Sequence, residues 1–218
     1  MSSLFLAYQD FKYLLNRGYR KKYALEFVAN HYKLSLKERH FLARCVFSDN
    51  AIAERKRKLL SKEELKDRVL GVDGFNVLIT LESLLEGKAV LCEDGLLRDL
   101  KYQRGYKLSP GTLKTLNMLA NTLASLELKE VVFLYDAPVS KSGEVAKLTR
   151  KALNEHGVVG EVRLSQAPDY ELKSFDVVAT SDIGIIDKVP FVVDLPVIVG
   201  SILGIKPLRF FEVLTTEH

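Results

Sequence analysis

The chain has 218 residues, 47% apolar and 28% charged, which is enough for one α/β domain plus a small extra unit and too apolar for wholesale disorder. No run of 18 apolar residues occurs and Asp10 and Lys12 interrupt the N-terminus early, so neither a membrane span nor a signal peptide is expected. The net charge of +4 hides a division: residues 1–66 carry fifteen Lys/Arg against seven Asp/Glu, a balance of +8, and residues 67–218 carry −4.

Residues 3–65 read as helical. Leu4, Ala7, Tyr8, Phe11, Leu14 and Leu15 recur at helical spacing. "NRGY" at 16–19 is a turn, after which Tyr23, Ala24, Phe27, Val28 and Tyr32 give the next apolar face. Ser35 followed by Glu38 forms a capping box before a third helix whose apolar residues are Leu36, Phe41, Leu42, Cys45 and Val46. Residues 53–68 form a charged helix or connector. Short helices with basic residues outside resemble a helix-turn-helix bundle. The division falls at 1–66, a basic helical region, and 67–218, an α/β domain. Cys45 and Cys92 share no metal-like spacing, so no disulfide framework is expected and a reducing cytoplasm is the expected compartment.

From Val69 the texture changes. "VLGV" at 69–72 reads as a strand followed by a helix near 76–86. Residues 89–108 are irregular and hold a hairpin or a lid. Ser109-Pro110 precedes a helix over about 111–127. Strands follow at 130–136, 160–165, 175–182 and 190–196, with helices between them and one after the last. Strands alternating with helices predict a parallel sheet flanked by helices, an α/β fold behind a small all-helical region.

Three strands end alike, in "LGVD", "FLYD" and "VATSD". Each places an aspartate (Asp73, Asp136, Asp182) at the carboxyl end, where parallel sheets bind ligands. Neighbouring strands lie about 4.8 Å apart, so such carboxylates converge and repel unless a cation neutralises them. An oxygen-only set suits Mg²⁺ or Mn²⁺. Any one of these aspartates taken alone reads first as a helix cap or turn residue, and it is the three together that point to a site. Asp169 and Asp187 lie near the last strand end, on either side of Asp182, and are further ligand candidates. No GxGxxG or GxxxxGK[ST] occurs, and no serine has an evident histidine base. A phosphatase opening on a strand-end aspartate expects an acid two residues after Asp73, where Phe75 stands.

"GVDGFNVL", "FLYDAP" and "VATSD" resemble the PIN-like nuclease superfamily, its NYN branch included, over residues 68–200. The whole chain resembles an uncharacterised archaeal family in which a helical N-terminal region is fused to such a domain. The resemblance implies a PIN-like sheet and hydrolysis of phosphodiesters, as by a metal-dependent endoribonuclease using Mg²⁺ or Mn²⁺. By position it makes Asp73 the first metal ligand, Asn76 its support and Asp182 the late acid, supplemented by Asp187. Asp169 takes the mid-chain acidic position, and Asp136 stands where many such domains have no catalytic acid. A homo-oligomer is also among its implications. A catalytically inactive, RNA-binding form of the same domain is the alternative.

Two basic clusters accompany this, "NRGYRKKY" at 16–23 (Arg17, Arg20, Lys21, Lys22) and "RKRK" at 55–58 (Arg55, Lys56, Arg57, Lys58). Tyr19, Tyr23 and Tyr32 interleave with them, a combination suited to single-stranded RNA. Arg98 and Arg104, in the 93–106 stretch, either meet a phosphate or close the loop through local ion pairs.

Overall fold

The structure, a computed structural model, describes residues 2–100 and 106–215. Its centre is a parallel sheet built from β1 (Val69–Asp73), β4 (Glu130–Asp136), β5 (Gly160–Ser165), β6 (Val177–Ala179) and β7 (Phe191–Val193), in the order β5-β4-β1-β6-β7. The chain is therefore α/β, with helices on both faces of the sheet and a helical region ahead of it. Alternation along the strands assigns the faces. Leu70 and Val72 of β1 and Val131, Phe133 and Tyr135 of β4 join one core, whereas Val132, Leu134 and Val178 join another. The first core is covered by α5 (Gly74–Leu85), α6 (Thr112–Ala124), α7 (Ser142–Glu155) and α10 (Leu195–Leu203). The second is covered by α8 (Pro168–Leu172), α9 (Ile183–Ile186) and the chain around Leu59. Leu60 N donates to Val192 O at 2.8 Å, so the segment leaving the helical region covers the β7 edge. At the other edge the charged pair Glu161–Arg163 lies on β5.

The stretch at 89–108 contains a hairpin. β2 (Ala89–Leu91) and β3 (Leu97–Asp99) pair antiparallel, and β8 (Leu208–Arg209) adds to β2 before α11 (Phe210–Thr215). Arg104 lies outside the described residues.

The N-terminal region consists of α1 (Ser3–Asn16), α2 (Lys21–His31), α3 (Leu36–Cys45) and α4 (Asp49–Lys58). The Ser35–Glu38 capping box is formed. The core of these helices is shared: Leu4, Phe11, Val28, Phe41 and Leu42 pack with Val90 and Cys92 after β1 and with Phe210 and Leu214 of α11. A cut between 66 and 67 therefore passes through a common core. The apolar face expected on α2 is also corrected, because Tyr23 and Phe27 point outward, as does Leu36. Ala24, Val28 and Ala29 supply the buried face instead.

Cys45 and Cys92 form a disulfide, contrary to the expectation from their spacing, with Cα atoms 4.6 Å apart. A separation of 47 residues carries no geometric information until the end of β2 docks on the end of α3, where Glu93 N donates to Cys45 O.

Two predictions follow from this packing. Gly74 has an ordinary negative φ, and its reason is space: a Cβ there would run into the buried Tyr135 ring. Gly74→Ala is expected to destabilise the chain by about 1–3 kcal/mol in a denaturant titration, the usual range for overpacking. Reduction of Cys45–Cys92 releases a long loop and is expected to lower stability by up to about 4 kcal/mol, read as a lower midpoint with reductant present.

Candidate functional site

The strand order reverses beside β1. The chain moves from β1 to β4 and β5 on one side, then crosses to β6 and β7 on the other. The crevice between the carboxyl ends of β1 and β6 is the place where such sheets bind ligands. Asp73 ends β1, and Thr180, Ser181 and Asp182 follow β6 at this point.

Asp73 precedes α5 but makes no capping hydrogen bond to it. Its Oδ2 instead accepts from Thr180 Oγ1 at 2.8 Å. Burial pushes its carboxyl up to about 7; the Thr180 hydroxyl and the backbone N–H of Asn76, in the first turn of α5, oppose the rise, while the charges of Asp169 and Asp182 add to it. Asn76 Oδ1 accepts from Ser181 N at 2.8 Å and from Ser181 Oγ at 3.0 Å, so the first turn of α5 clamps the chain leaving β6. Asp182 is exposed and caps α9, accepting from Gly184 N at 2.6 Å. Asp169 is exposed in the first turn of α8, a helix packed on β1 and β4.

The structure thus brings together Asp73, Asn76 and Asp182, with Asp169 near enough to act on Asp73. It separates the other two acids from them. Asp73 pairs in register with Leu134, so Asp136 stands two residues further along β4, opposite Ser165 of β5. Asp187 ends α9 and receives both arms of Arg55, at 2.9 and 3.1 Å, which corrects its assignment as a supplementary ligand. Among the described residues no three acid, histidine or cysteine side chains are grouped closely enough to hold a metal.

Several basic residues are corrected as well. Arg98 is 1% exposed, and both its arms meet Asp94, itself 0% exposed, at 2.7 and 2.8 Å. Arg98 Nε also donates to the Ser181 carbonyl at 3.1 Å, under the site. Of the two roles open to it, Arg98 takes the local ion pair. Arg55 is buried and reaches Asp94 as well as Asp187. Lys21 packs its Nζ 3.8 Å from the Phe47 ring centroid, with the guanidinium carbons of Arg55 and Arg98 at 4.4 and 5.0 Å from the same ring. Burial first, then these two guanidiniums, pull the Lys21 amine down to about 7. Three of the ten basic candidates are therefore interior groups. Lys58 donates to the Ile186 carbonyl at 2.9 Å, and Arg17, Arg20, Lys22, Lys56 and Arg57 are exposed.

Two contributors, Thr180 and Ser181, have no role that the sequence assigns. Thr180 and Ser181 were visible in "VATSD", yet nothing in the sequence showed that their hydroxyls face Asp73 and Asn76. Asp194 caps α10 through Val197 N at 3.0 Å and accepts from Leu97 N at 2.6 Å, and burial raises its carboxyl to about 6 despite those donors. Asp194, Asn76, Thr180 and Ser181 border a cavity of about 10 Å³ that also meets Thr80, close to the least that holds one water molecule.

Comparison with known proteins gives two family matches. The model of a domain of unknown function, DUF5616, matches residues 62–198, and that of a protein of unknown function, DUF434, matches residues 3–58. The uncharacterized protein MJ0935 of Methanocaldococcus jannaschii is 47% identical over 193 residues, covering 87% of this chain and 92% of its own. No solved structure matches the chain significantly.

The raised Asp73 carboxyl predicts a pH signature. Its folded value, about 7, lies above the unfolded value of about 3.9, so its contribution is intact below the unfolded value and is lost as pH rises through the folded one. Asp73→Asn escapes that loss. Its melting temperature relative to wild type is expected to climb between about pH 4 and 7 and to stay level above, in thermal scans across pH.

Proposed function

We propose that this chain, which belongs to the DUF5616 family, is a metal-dependent nuclease acting on RNA, an endoribonuclease of PIN-like type. One observation carries this reading: at the reversal point of a parallel sheet the Thr180 hydroxyl donates to the half-buried Asp73 and accepts from Asp182 N, which holds two acids together. Asp194, by contrast, is a structural acid that caps α10 and holds Leu97 N. Two acids held this close fit a role toward a cation, which would offset their mutual repulsion.

The donor set fits Mg²⁺ or Mn²⁺ in its chemistry, since every available atom is oxygen. Mg²⁺ commonly takes one or two carboxylates and completes its shell with water and substrate phosphate, so a three-acid cage is not required. Asp73 and Asp182 would hold the ion, with Asp169 adding negative charge. The bound ion would supply a more acidic attacking water and charge for the leaving oxygen. The chain's own residues do the positioning. Thr180 fixes one oxygen of Asp73. Asn76 holds Ser181, and through it Asp182, at a set distance from α5. Asp136 and Asp187 have no part in this scheme.

A second reading, an RNA-binding domain without catalysis, is favoured by the lack of a three-acid cluster among the described residues. Cleavage of a labelled single-stranded RNA with Mn²⁺ decides between them. Wild type is expected to cut, EDTA to stop it, and Asp73→Asn to lose at least about a hundredfold in rate, with Asp182→Asn losing less. No cutting by wild type, or equal cutting by Asp73→Asn, overturns the nuclease reading. The same variants give a second readout: Mn²⁺ is expected to raise the melting temperature of wild type and not of Asp73→Asn.

A further inference from the structure

The outer face of α2 and the turn before it carry large aromatic side chains that the fold does not use. Tyr19, Tyr23 and Phe27 are 61%, 60% and 71% exposed. The spacing of four places Tyr23 and Phe27 on one side of the helix, the side away from Ala24, Val28 and Ala29, and Tyr19 precedes them in the turn. Nothing in the packing of α2 requires aromatics there, since its buried face is made of small and β-branched residues. Cations border the same strip. Arg17, Arg20 and Lys22 are exposed, and none of them pairs with an acid among the described residues. Arg17 already lies over an aromatic ring, its guanidinium carbon 4.8 Å from the centroid of Tyr13, itself 57% exposed.

We propose that this strip is a docking surface for single-stranded RNA, with bases stacking on Tyr19, Tyr23 and Phe27 and phosphates meeting Arg17, Arg20 and Lys22. Charge decides the occupant. An apolar protein partner would desolvate three unpaired cations with nothing to answer them, whereas a single strand offers a phosphate for each cation and a ring for each aromatic. Duplexes hide their base faces, so the aromatics specify the unpaired form. Arg55, Arg98 and the Lys21 ammonium are turned inward and take no part; Glu26, exposed on α2, is the single acid of that helix against Arg17, Arg20 and Lys22, and Lys33 after the helix adds a further exposed cation. The choice of RNA rests on the nuclease reading above, but binding itself does not need catalysis.

The test is fluorescence anisotropy of the full chain with a labelled single-stranded RNA of about 12 nucleotides, in EDTA so that no cleavage intervenes. Tyr23→Ala/Phe27→Ala is expected to weaken binding at least about tenfold. Arg20→Ala/Lys22→Ala is expected to reduce the slope of log affinity against log salt by about 2. Phe27→Tyr keeps a stacking ring and is expected to bind like wild type. All substituted side chains are exposed, and an unchanged melting temperature confirms folding. Affinity unmoved by both double variants overturns the proposal, as does the absence of binding. Equal affinity for single-stranded DNA overturns the choice of RNA. Self-association of wild type that Tyr23→Ala/Phe27→Ala abolishes assigns the strip to a second copy and overturns it as well. Because the assay contains no divalent metal, a failed cleavage experiment and a failed binding experiment remain separate results.

Discussion

Arg98 and Asp94 form a fork-to-fork ion pair buried from the surface, and much of the molecule is arranged around that fact. A buried ion pair adds little net stability, but removing one partner leaves an uncompensated charge and typically costs about 3–5 kcal/mol. The geometry around such a pair is therefore strongly fixed. Here Asp94 sits in the β2–β3 turn and also accepts from Arg55 of α4, which in turn grips Asp187 at the end of α9. Arg98 donates to the carbonyl of Ser181. One ionic network thus joins the helical region, the hairpin and the segment that carries Asp182. The Phe47 ring closes it from the side, giving the three cations Lys21, Arg55 and Arg98 a π-face that softens their mutual repulsion.

The site inherits its rigidity from this arrangement. Ser181 is held from below by Arg98 and from the front by Asn76. Thr180 and Asp182 flank it, so neither has much freedom relative to Asp73. The Thr180 hydroxyl donates to Asp73 and accepts from Asp182 N at 3.1 Å, which ties the two acids through one oxygen atom. Asp73 remains costly in its charged form because these contacts do not repay its lost hydration. Asn at position 73 would remove this cost.

The sequence exposed the parts of this design that are local. The apolar runs, the aspartates ending them, the Ser35 capping box and the alternation of strands and helices all sit within a few residues of one another. Cues spread across the chain were not legible. Arg55 meets acids 39 and 132 residues away, so "RKRK" read as one surface cluster although Arg55 turns inward and its neighbours Lys56 and Arg57 do not. Asp136 and Asp73 end strands with the same pattern, and only the register, with Asp73 opposite Leu134, separates them. The pairing of Cys45 with Cys92 depends on the docking of β2 against α3 and leaves no mark on the spacing. Tyr23 and Phe27 show the reverse case: their periodicity reads as a core face because hydropathy does not distinguish a face turned inward from one turned outward.

The two matched family segments, 3–58 and 62–198, nearly abut, which invites the view that a binding module is simply appended to a catalytic one. The packing argues for a closer union. Val90, Cys92, Phe210 and Leu214 complete the helical core, and Ile183, the residue after Asp182, also packs against it. Arg44 of α3 reaches Asp99 at 3.0 Å and feels the charge of Asp182. The helices therefore wall one side of the crevice that holds the acids. Any strand of nucleic acid lying on α2 would be carried by the same rigid body that sets Asp182, and binding and chemistry would be linked by shared walls rather than by a tether.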